Sequence, residues 1–169
     1  MNRWSVLVVV VLCSAVAVYA QNKKVFVCLP CGSSCDAAEY SEGGQCSHCQ
    51  MPLVEKSSIK HKSVQPDAVC KFIADNPQLI LLDVRTKAEY EGTSDPNFGT
   101  LKNAINIPVQ ELENRLSELS KDKNKTVLVF CSHSHRSPRA SYMLTQNGFK
   151  KVFNMEGGMS VMTDDDCKR

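Results

Sequence analysis

The residues best suited to chemistry lie in one stretch, residues 126–139, which reads TVLVFCSHSHRSPR. An apolar run over residues 127–130 ends at Cys131, and a segment with helical spacing follows a few residues later. Between them lie five small, polar or cationic residues: Ser132, His133, Ser134, His135 and Arg136. A strand that ends at a cysteine, followed by a polar turn and a helix, is a recurrent way to hold a thiolate. Backbone N–H groups and the positive end of the helix dipole favour negative charge there.

Cys131 is the strong nucleophile of this stretch, and it has two possible roles. A buried cysteine can be an unreactive part of a hydrophobic core. The polar residues that follow Cys131 are poor core residues, so the sequence favours a reactive thiol. Arg136, together with His133 and His135 when these are protonated, would place positive charge around its thiolate.

A second set of metal-ligating side chains lies near the N-terminus. Cys28 with Cys31, and Cys46 with Cys49, form two C-x-x-C pairs separated by fourteen residues. Each pair offers two thiolates, so two pairs at this spacing predict a structural four-cysteine zinc site. Two disulfides are one alternative, and transient binding of a softer metal such as copper is another.

The residues around these pairs resemble a zinc ribbon, and also short heavy-metal-binding modules whose second knuckle continues into Met-Pro-Leu, as residues 51–53 do here. Gly32 suits the left-handed turn that follows such a knuckle. Gln50 stands where a glycine is usual after the second one. Cys35 and His48 exceed the needs of a four-cysteine site, and either could replace a ligand.

The elements that must position Cys131 follow from the pattern of residues 63–163. Buried strands are predicted over residues 79–84 and 127–130, and short strands over residues 104–107 and 152–155. Helices are predicted over residues 66–76, 86–90, 109–119 and 137–147. Strands that alternate with helices predict an α/β fold with a largely parallel sheet, flanked by helices on both faces. Ligands of such sheets bind beyond the carboxyl ends of the strands, where Cys131 would lie.

The remaining segments bound the organisation and the location of the protein. Residues 1–20 have a basic start, an apolar run and a small-residue end, which predicts a signal peptide and no stable membrane anchor after its cleavage. Residues 21–56 form the cysteine-rich segment, 57–62 a linker, 63–163 the main domain and 164–169 an acidic tail. We therefore expect an exported protein, periplasmic in a Gram-negative host and otherwise secreted.

Composition and the two isolated cysteines add further expectations. Hydrophobic residues make up 43% of the 169 residues and charged residues 22%, which is typical of a globular protein. The formal charge of +2 and the lack of a basic block argue against a nucleic-acid partner. Cys70 lies on the apolar face of a predicted helix, as a core residue would. Cys167 lies in the polar tail, which favours an incidental solvated thiol.

Several motifs in order resemble a rhodanese, or sulfurtransferase, domain over residues 63–162. They are Leu-Asp-Val-Arg at 82–85, Glu-Tyr at 89–90, Asn-Ala-Ile-Asn-Ile-Pro at 103–108, Val-Phe-Cys at 129–131, Arg-Ser at 136–137, Gly-Phe at 148–149 and Asn-Met-Glu-Gly-Gly at 154–158. The resemblance implies a rhodanese-like parallel sheet, in which Cys131 accepts a sulfane sulfur as a persulfide and passes it to a thiol acceptor. It implies a small sulfur-containing donor and no organic cofactor.

The same resemblance assigns roles to single residues. The backbone N–H groups of residues 132–136 would hold the persulfide, and Arg136 would close the loop and help to bind an anionic donor. Asp83 and Arg85 would form a structural ion pair. Ser134 stands where the family usually has glycine, so either the backbone there avoids a positive φ or it carries strain. Ser132 replaces a frequent arginine.

Three other functions compete with sulfur transfer. Cysteine phosphatases place five residues between cysteine and arginine, whereas four separate Cys131 from Arg136, so the loop is short for a tetrahedral oxyanion. Cys131, His133 and His135 could instead bind copper or zinc, which would make the protein a metal- or redox-binding module. The domain could also be an inert rhodanese-like binding domain.

Overall fold

The computed structural model describes residues 23–169, so the predicted signal peptide lies outside the described residues. Strands are numbered along the chain, and the main sheet consists of β4 (Lys62–Val64), β5 (Ile80–Asp83), β6 (Ile105–Asn106), β7 (Thr126–Phe130) and β8 (Lys151–Met155). These five strands are parallel and lie in the order β4-β8-β7-β5-β6, whereas the first three strands belong to the cysteine-rich segment. None of the helices described is long and apolar enough to cross a membrane.

Four α-helices connect the strands: α1 (Val69–Asp75), α2 (Lys87–Glu91), α3 (Leu112–Arg115) and α4 (Arg136–Gln146). Two hydrophobic clusters result, one on each face of the sheet, because the side chains of the central strands alternate between the faces. Val127 and Val129 pack on one face, and Leu128 and Phe130 on the other. The predicted α/β fold, with its parallel sheet and flanking helices, is confirmed.

The cysteine-rich segment forms a small antiparallel sheet of its own, with the strand order β2-β1-β3. Its strands are β1 (Phe26–Val27), β2 (Glu39–Tyr40) and β3 (Val54–Glu55). Three buried cysteines make the centre of its core, namely Cys28, Cys35 and Cys46. We call residues 25–55 the cysteine module. So little apolar surface makes a cross-link or a metal the natural source of its stability.

Several elements differ from the prediction in detail. The expected helix over residues 109–119 begins later, as α3, and continues as a 3-10 helix over Leu116–Asp122. Strand β4 begins at Lys62, at the end of the predicted linker, and was not predicted. Its pattern is short and polar, so only its pairing with β8 makes it a strand.

Cys167 is not an incidental thiol, and the expectation for it was wrong. It forms a disulfide with Cys70 of α1, and Cys70 packs against the hydrophobic core, as expected. Backbone hydrogen bonds also hold the C-terminal tail in place. The Lys102 N–H donates to the Cys167 carbonyl, and Arg169 and Thr100 exchange backbone hydrogen bonds. The C-terminus is therefore bound across the loop that precedes β6.

Candidate active site

Cys131 lies directly after β7, and α4 begins at Arg136, five residues later. Its side chain is only 1% exposed, and its Sγ lies 3.3 Å from the Oγ of the fully buried Ser137. The eleven residues of α4 point their N-terminal end at the loop of residues 131–135, which favours negative charge there. Ser137 belongs to the Arg-Ser motif but was given no role from the sequence, although its place in the first turn of this helix is a signal for such a contact.

Ser134 adopts the left-handed conformation, with a φ of 56°. The sequence left open whether the backbone at Ser134 avoids a positive φ or carries strain. The structure shows the strained conformation, since the left-handed region disfavours residues with a side chain. The Nδ2 of Asn154 donates a hydrogen bond to the Ser134 Oγ over 3.0 Å. This bond from β8 holds the tip of the loop.

The double glycine after β8 and the two residues that follow it contact the backbone of the cysteine loop. The Met159 N–H donates to the Cys131 carbonyl, and the Ser160 N–H donates to the Ser132 carbonyl, both over 2.9 Å. Gly158 has a φ of 71°, and a Cβ there would lie 2.5 Å from the Cys131 oxygen. Only glycine allows this approach, which explains the motif in physical terms.

Arg136 closes the loop through an ion pair with Glu89 of α2. Its Nη1 and Nη2 each donate to a Glu89 carboxylate oxygen over 2.7 Å, and the Ser132 hydroxyl donates to the same carboxylate. The Arg136 hydrogen bonds, followed by those from Ser132 and Thr86, hold the Glu89 pKa far below its usual range despite partial burial. Glu89 also receives the Thr86 N–H in a capping box at the start of α2. The Arg136 guanidinium is thus bound by protein groups.

Asp83 and Arg85 form the predicted structural ion pair. Both side chains are buried, and the Arg85 Nη2 donates to the Asp83 Oδ2 over 2.7 Å. Arg85 also donates to the Gly99 carbonyl, and the Thr100 hydroxyl donates to Asp83. The ion pair therefore fixes the loop before β6. None of the side-chain hydrogen bonds that Asp83 and Arg85 make involves Cys131.

The two histidines lie side by side on the exposed outer surface of the loop. The His133 ring meets Phe98 edge-on at a centroid distance of 5.4 Å and lies 6.2 Å from the His135 ring. His135 packs against Gly32, where a Cβ would lie 2.3 Å from its Cε1. Within residues 23–169, these histidines do not form a close metal-ligand group with Cys131. The geometry therefore gives no support to a metal site on this loop, and it shows the cysteine module in contact with the loop.

The cysteine module brings four sulfur atoms together, those of Cys28, Cys31, Cys35 and Cys49, all within 4.8 Å of one another. A tetrahedral zinc ion with bonds of about 2.3 Å requires sulfurs roughly 3.8 Å apart, so the donor set fits zinc. Cys46, the remaining member of the predicted set, is fully buried beside them, and its Sγ lies 3.5 Å from the Tyr40 hydroxyl. All five are free thiols rather than disulfides.

The surroundings of these thiols differ strongly. Burial, with the neighbouring Cys49, raises the pKa of Cys28 to about 12. Hydrogen bonds from the Cys49 N–H, the Tyr40 hydroxyl and the His48 N–H lower the pKa of Cys46 to about 6.

The backbone turns sharply after each C-x-x-C pair. Gly32 has the expected left-handed φ of 81°, and Gln50 adopts a φ of 59° although it carries a side chain. Both knuckles therefore turn in the same way.

A five-stranded parallel sheet with a cysteine loop at the carboxyl end of its central strand defines a class of α/β domains organised around a buried thiol. The family model described as a rhodanese-like domain matches residues 66–165. The chain belongs to this family, as the sequence motifs indicated.

Solved structures agree with this assignment. A rhodanese-related protein of Thermoplasma volcanium is 28% identical and aligns with a TM-score of 0.51 over 63% of this chain and 95% of that one. A rhodanese-like domain protein of Staphylococcus aureus is 27% identical, with a TM-score of 0.52 over 63% and 96%. Both matches extend over nearly the whole of the solved chains, which supports the rhodanese-like fold of this chain's main domain.

Curated relatives match this chain over a small part of their own length. A tRNA uridine(34) hydroxylase of Yersinia enterocolitica is 32% identical over 109 residues, which is 62% of this chain and 29% of the relative. One from Sodalis glossinidius is 34% identical over 91 residues, which is 52% of this chain and 24% of the relative. The chain thus spans less than a third of the length of these relatives.

Proposed function

We propose that this protein is an exported sulfurtransferase that carries a sulfane sulfur as a persulfide on Cys131 and passes it to a thiol acceptor. The observation that supports this most is the short loop at Cys131. Four residues separate Cys131 from Arg136, one fewer than in the loop of cysteine phosphatases, and Glu89 holds the Arg136 guanidinium at the end of the loop. A loop of this kind suits a single sulfur atom and disfavours a phosphatase.

The first half-reaction loads the cysteine. The Cys131 thiolate attacks the outer sulfur of thiosulfate, the bond between the two sulfurs of thiosulfate breaks, and sulfite leaves with the electron pair. The Ser137 hydroxyl, 3.3 Å from Sγ, can donate a hydrogen bond to the thiolate. The N-terminus of α4 favours the negative charge on the persulfide that forms.

The second half-reaction transfers the sulfur. An acceptor thiolate attacks the outer sulfur of the persulfide, a new sulfur–sulfur bond forms on the acceptor, and Cys131 leaves as the thiolate. No oxidant or reductant is consumed, since one sulfur–sulfur bond replaces another. The loop must therefore keep its shape through both steps, which the Glu89–Arg136 pair and the Gly158 contact allow.

The cysteine module has a structural role in this proposal. Zinc held by three of its cysteines, Cys28, Cys31 and Cys49, with Cys35 or Cys46 as the fourth ligand, would cross-link a segment that has little core of its own. Metal analysis of purified protein tests this assignment and should find one zinc ion per chain, whereas a Cys28→Ser variant should lose it.

Export is supported by the Cys70–Cys167 disulfide, because such bonds persist mainly in oxidising compartments. The signal-like segment of residues 1–20 points the same way. The tRNA substrate in the name of the relatives is not carried over, since the chain matches only 29% of such a relative and has a formal charge of only +2.

The activity is tested by steady-state kinetics on the mature protein, with thiosulfate or polysulfide as the donor and a small thiol as the acceptor. Transfer should follow the two-step pattern of a covalent intermediate, and a Cys131→Ser variant should be inactive. Equal rates for the variant and the wild type would contradict the proposal.

A further inference from the structure

A cleft of about 330 Å³ lies beside the loop, at the contact between the cysteine module and the main domain. Asp36 of the module lines one side, and Ser134 of the loop lines another. His61 directly precedes β4, whereas Asn154 and Glu156 lie at the carboxyl end of β8. The cleft therefore opens beside the loop that follows Cys131, although Cys131 itself does not line it, and both the cysteine module and the main domain contribute to it.

Two side-chain atoms of this cleft lack a partner. The amide of Asn154, which is only 4% exposed, donates through Nδ2 to Ser134, but its Oδ1 is buried without a hydrogen bond. The Nδ1 of His61 is likewise buried and unpaired, and burial lowers the His61 pKa, which favours the neutral ring. Within residues 23–169, four buried side-chain atoms lack a partner, and these two line one cleft. Unpaired buried polar atoms are costly, and the Asn154 Oδ1 can only accept, so this atom points to a ligand that donates a hydrogen bond.

The charged groups of the cleft indicate which kind of hydrogen-bond donor the ligand carries. Asp36 and Glu156 supply two carboxylates, and the basic side chains among the described lining residues are three histidines, His61, His133 and His135, with no lysine or arginine. The Asp36 carboxylate accepts the N–H groups of Cys31 and Gly32, and the exposed Glu156 accepts from Gln65. Both retain free acceptor capacity, since a carboxylate has about four lone-pair sites. An ammonium group fits such a set of acceptors, whereas an anionic donor such as thiosulfate would be repelled.

We infer that this cleft is the acceptor subsite of the sulfurtransferase, and that it takes small thiols carrying a protonated amine. The inference rests on the proposed function and adds its acceptor class. The ammonium group binds the Asn154 Oδ1 and the two carboxylates, which leaves the thiol to face the loop. The acceptor thiolate attacks the outer persulfide sulfur, the bond from that sulfur to Cys131 breaks, and the product is the aminothiol persulfide. The outer sulfur leaves with the acceptor as its persulfide anion, and Cys131 returns as the thiolate.

The test compares three acceptors that share a two-carbon spacer: cysteamine, 2-mercaptoethanol and 3-mercaptopropionate, with thiosulfate as the donor. In the wild type, kcat/KM for cysteamine should exceed that for 3-mercaptopropionate by about tenfold or more, with 2-mercaptoethanol between them. Ethylamine, which has the ammonium group but no thiol, should inhibit competitively against 2-mercaptoethanol.

A matched pair of variants separates binding from the intrinsic acidity of the thiols, because the same acceptors are compared in each protein. Glu156→Gln should lower the ratio of cysteamine to 3-mercaptopropionate by about threefold or more. Glu113→Gln removes an exposed carboxylate on α3, far from the cleft lining, and should keep the ratio.

The outcomes distinguish the two claims. Transfer to all three thiols with no preference for cysteamine, or a ratio that Glu156→Gln does not change, would overturn the cleft inference and leave sulfur transfer intact. A lack of transfer to any thiol would instead contradict the proposed function itself.

Discussion

Ser137 places its hydroxyl 3.3 Å from the Cys131 Sγ, within hydrogen-bond distance of the proposed sulfur carrier. A hydrogen bond to a charged group contributes about 1.5–3 kcal/mol, so Ser137→Ala should slow persulfide formation by roughly tenfold or more. Single-turnover release of sulfite from thiosulfate measures this rate.

The same helix offers a matched control for this prediction. Ser141 is also fully buried on α4, but its Oγ has no hydrogen-bond partner. Ser141→Ala should leave the rate unchanged. Equal losses in the two variants would show that packing, and not the contact with sulfur, limits the reaction.

Glu89 makes the loop sensitive to acid. Hydrogen bonds from Arg136, Ser132 and Thr86 lower its folded-state pKa, so the unfolded chain takes up a proton before the folded one does. The stability that Glu89 contributes is therefore complete above its ordinary pKa of 4.5 and is lost as the pH falls below it. At pH 7, Glu89→Gln should lower the free energy of unfolding by about 1–3 kcal/mol.

Urea unfolding of the wild type and of Glu89→Gln at several pH values tests this prediction. The difference between them should be largest near neutrality and should shrink below about pH 4.5. Glu113→Gln, an exposed change on α3, is the control and should differ little from the wild type at any pH. A gap for Glu89→Gln that widens in acid would contradict the assigned ion pair.

At the scale of elements, the segment after β8 holds the reactive loop through Gly158. Ala at this position would place a Cβ 2.5 Å from backbone atoms of Cys131 and Ser132, which cannot move aside as a side chain can. Gly158→Ala should therefore displace the loop, with a loss of stability above the roughly 1–2 kcal/mol of left-handed strain. Sulfur transfer should fall at least tenfold.

Gly157 provides the matched comparison for this element. Its φ of 69° is nearly the same, but its Cβ would meet the Val161 side chain, which can change rotamer. Gly157→Ala should lower the free energy of unfolding by the left-handed strain alone, roughly 1–2 kcal/mol. This variant should keep most of the sulfur-transfer activity. Unfolding curves and transfer rates of both variants check the pair, and equal losses of activity would show that the backbone clash is irrelevant.

The elements were predictable from the sequence where local patterns determine them. The buried strand before Cys131, the helix after it and the turn at Gly32 follow from hydrophobic runs and glycine placement. Strand β4 was missed because its polar pattern is overridden by pairing with β8. The left-handed Ser134 was foreseen only as one of two possibilities, since local sequence cannot show that Asn154 holds it.

At the scale of the whole molecule, contacts between residues far apart in the chain could not be predicted from the sequence. Glu89 lies 47 residues from Arg136, and Cys70 lies 97 residues from Cys167, so no local pattern joins either pair. The contact of His135 with Gly32 likewise depends on how the cysteine module sits against the main domain. The candidate nucleophile was predictable, whereas the groups that hold its loop were not.

The Cys70–Cys167 disulfide links α1 to the C-terminal segment and closes most of the main domain into one covalent loop. Cross-linking residues this far apart restricts the unfolded chain, so removing the bond should cost about 2–5 kcal/mol. Urea unfolding of Cys167→Ser and Cys70→Ser checks this, and the two variants should lose similar amounts. A large loss in only one of them would indicate a role other than the disulfide.

The central claim is that Cys131 carries the transferred sulfur. Mass spectrometry of the mature protein after exposure to thiosulfate or polysulfide tests it most directly, with peptide mapping of every cysteine. We expect the mass of one added sulfur atom on Cys131, removed by a thiol acceptor and missing in Cys131→Ser. No added sulfur with any donor, or sulfur found only on the cysteine module, would contradict the account.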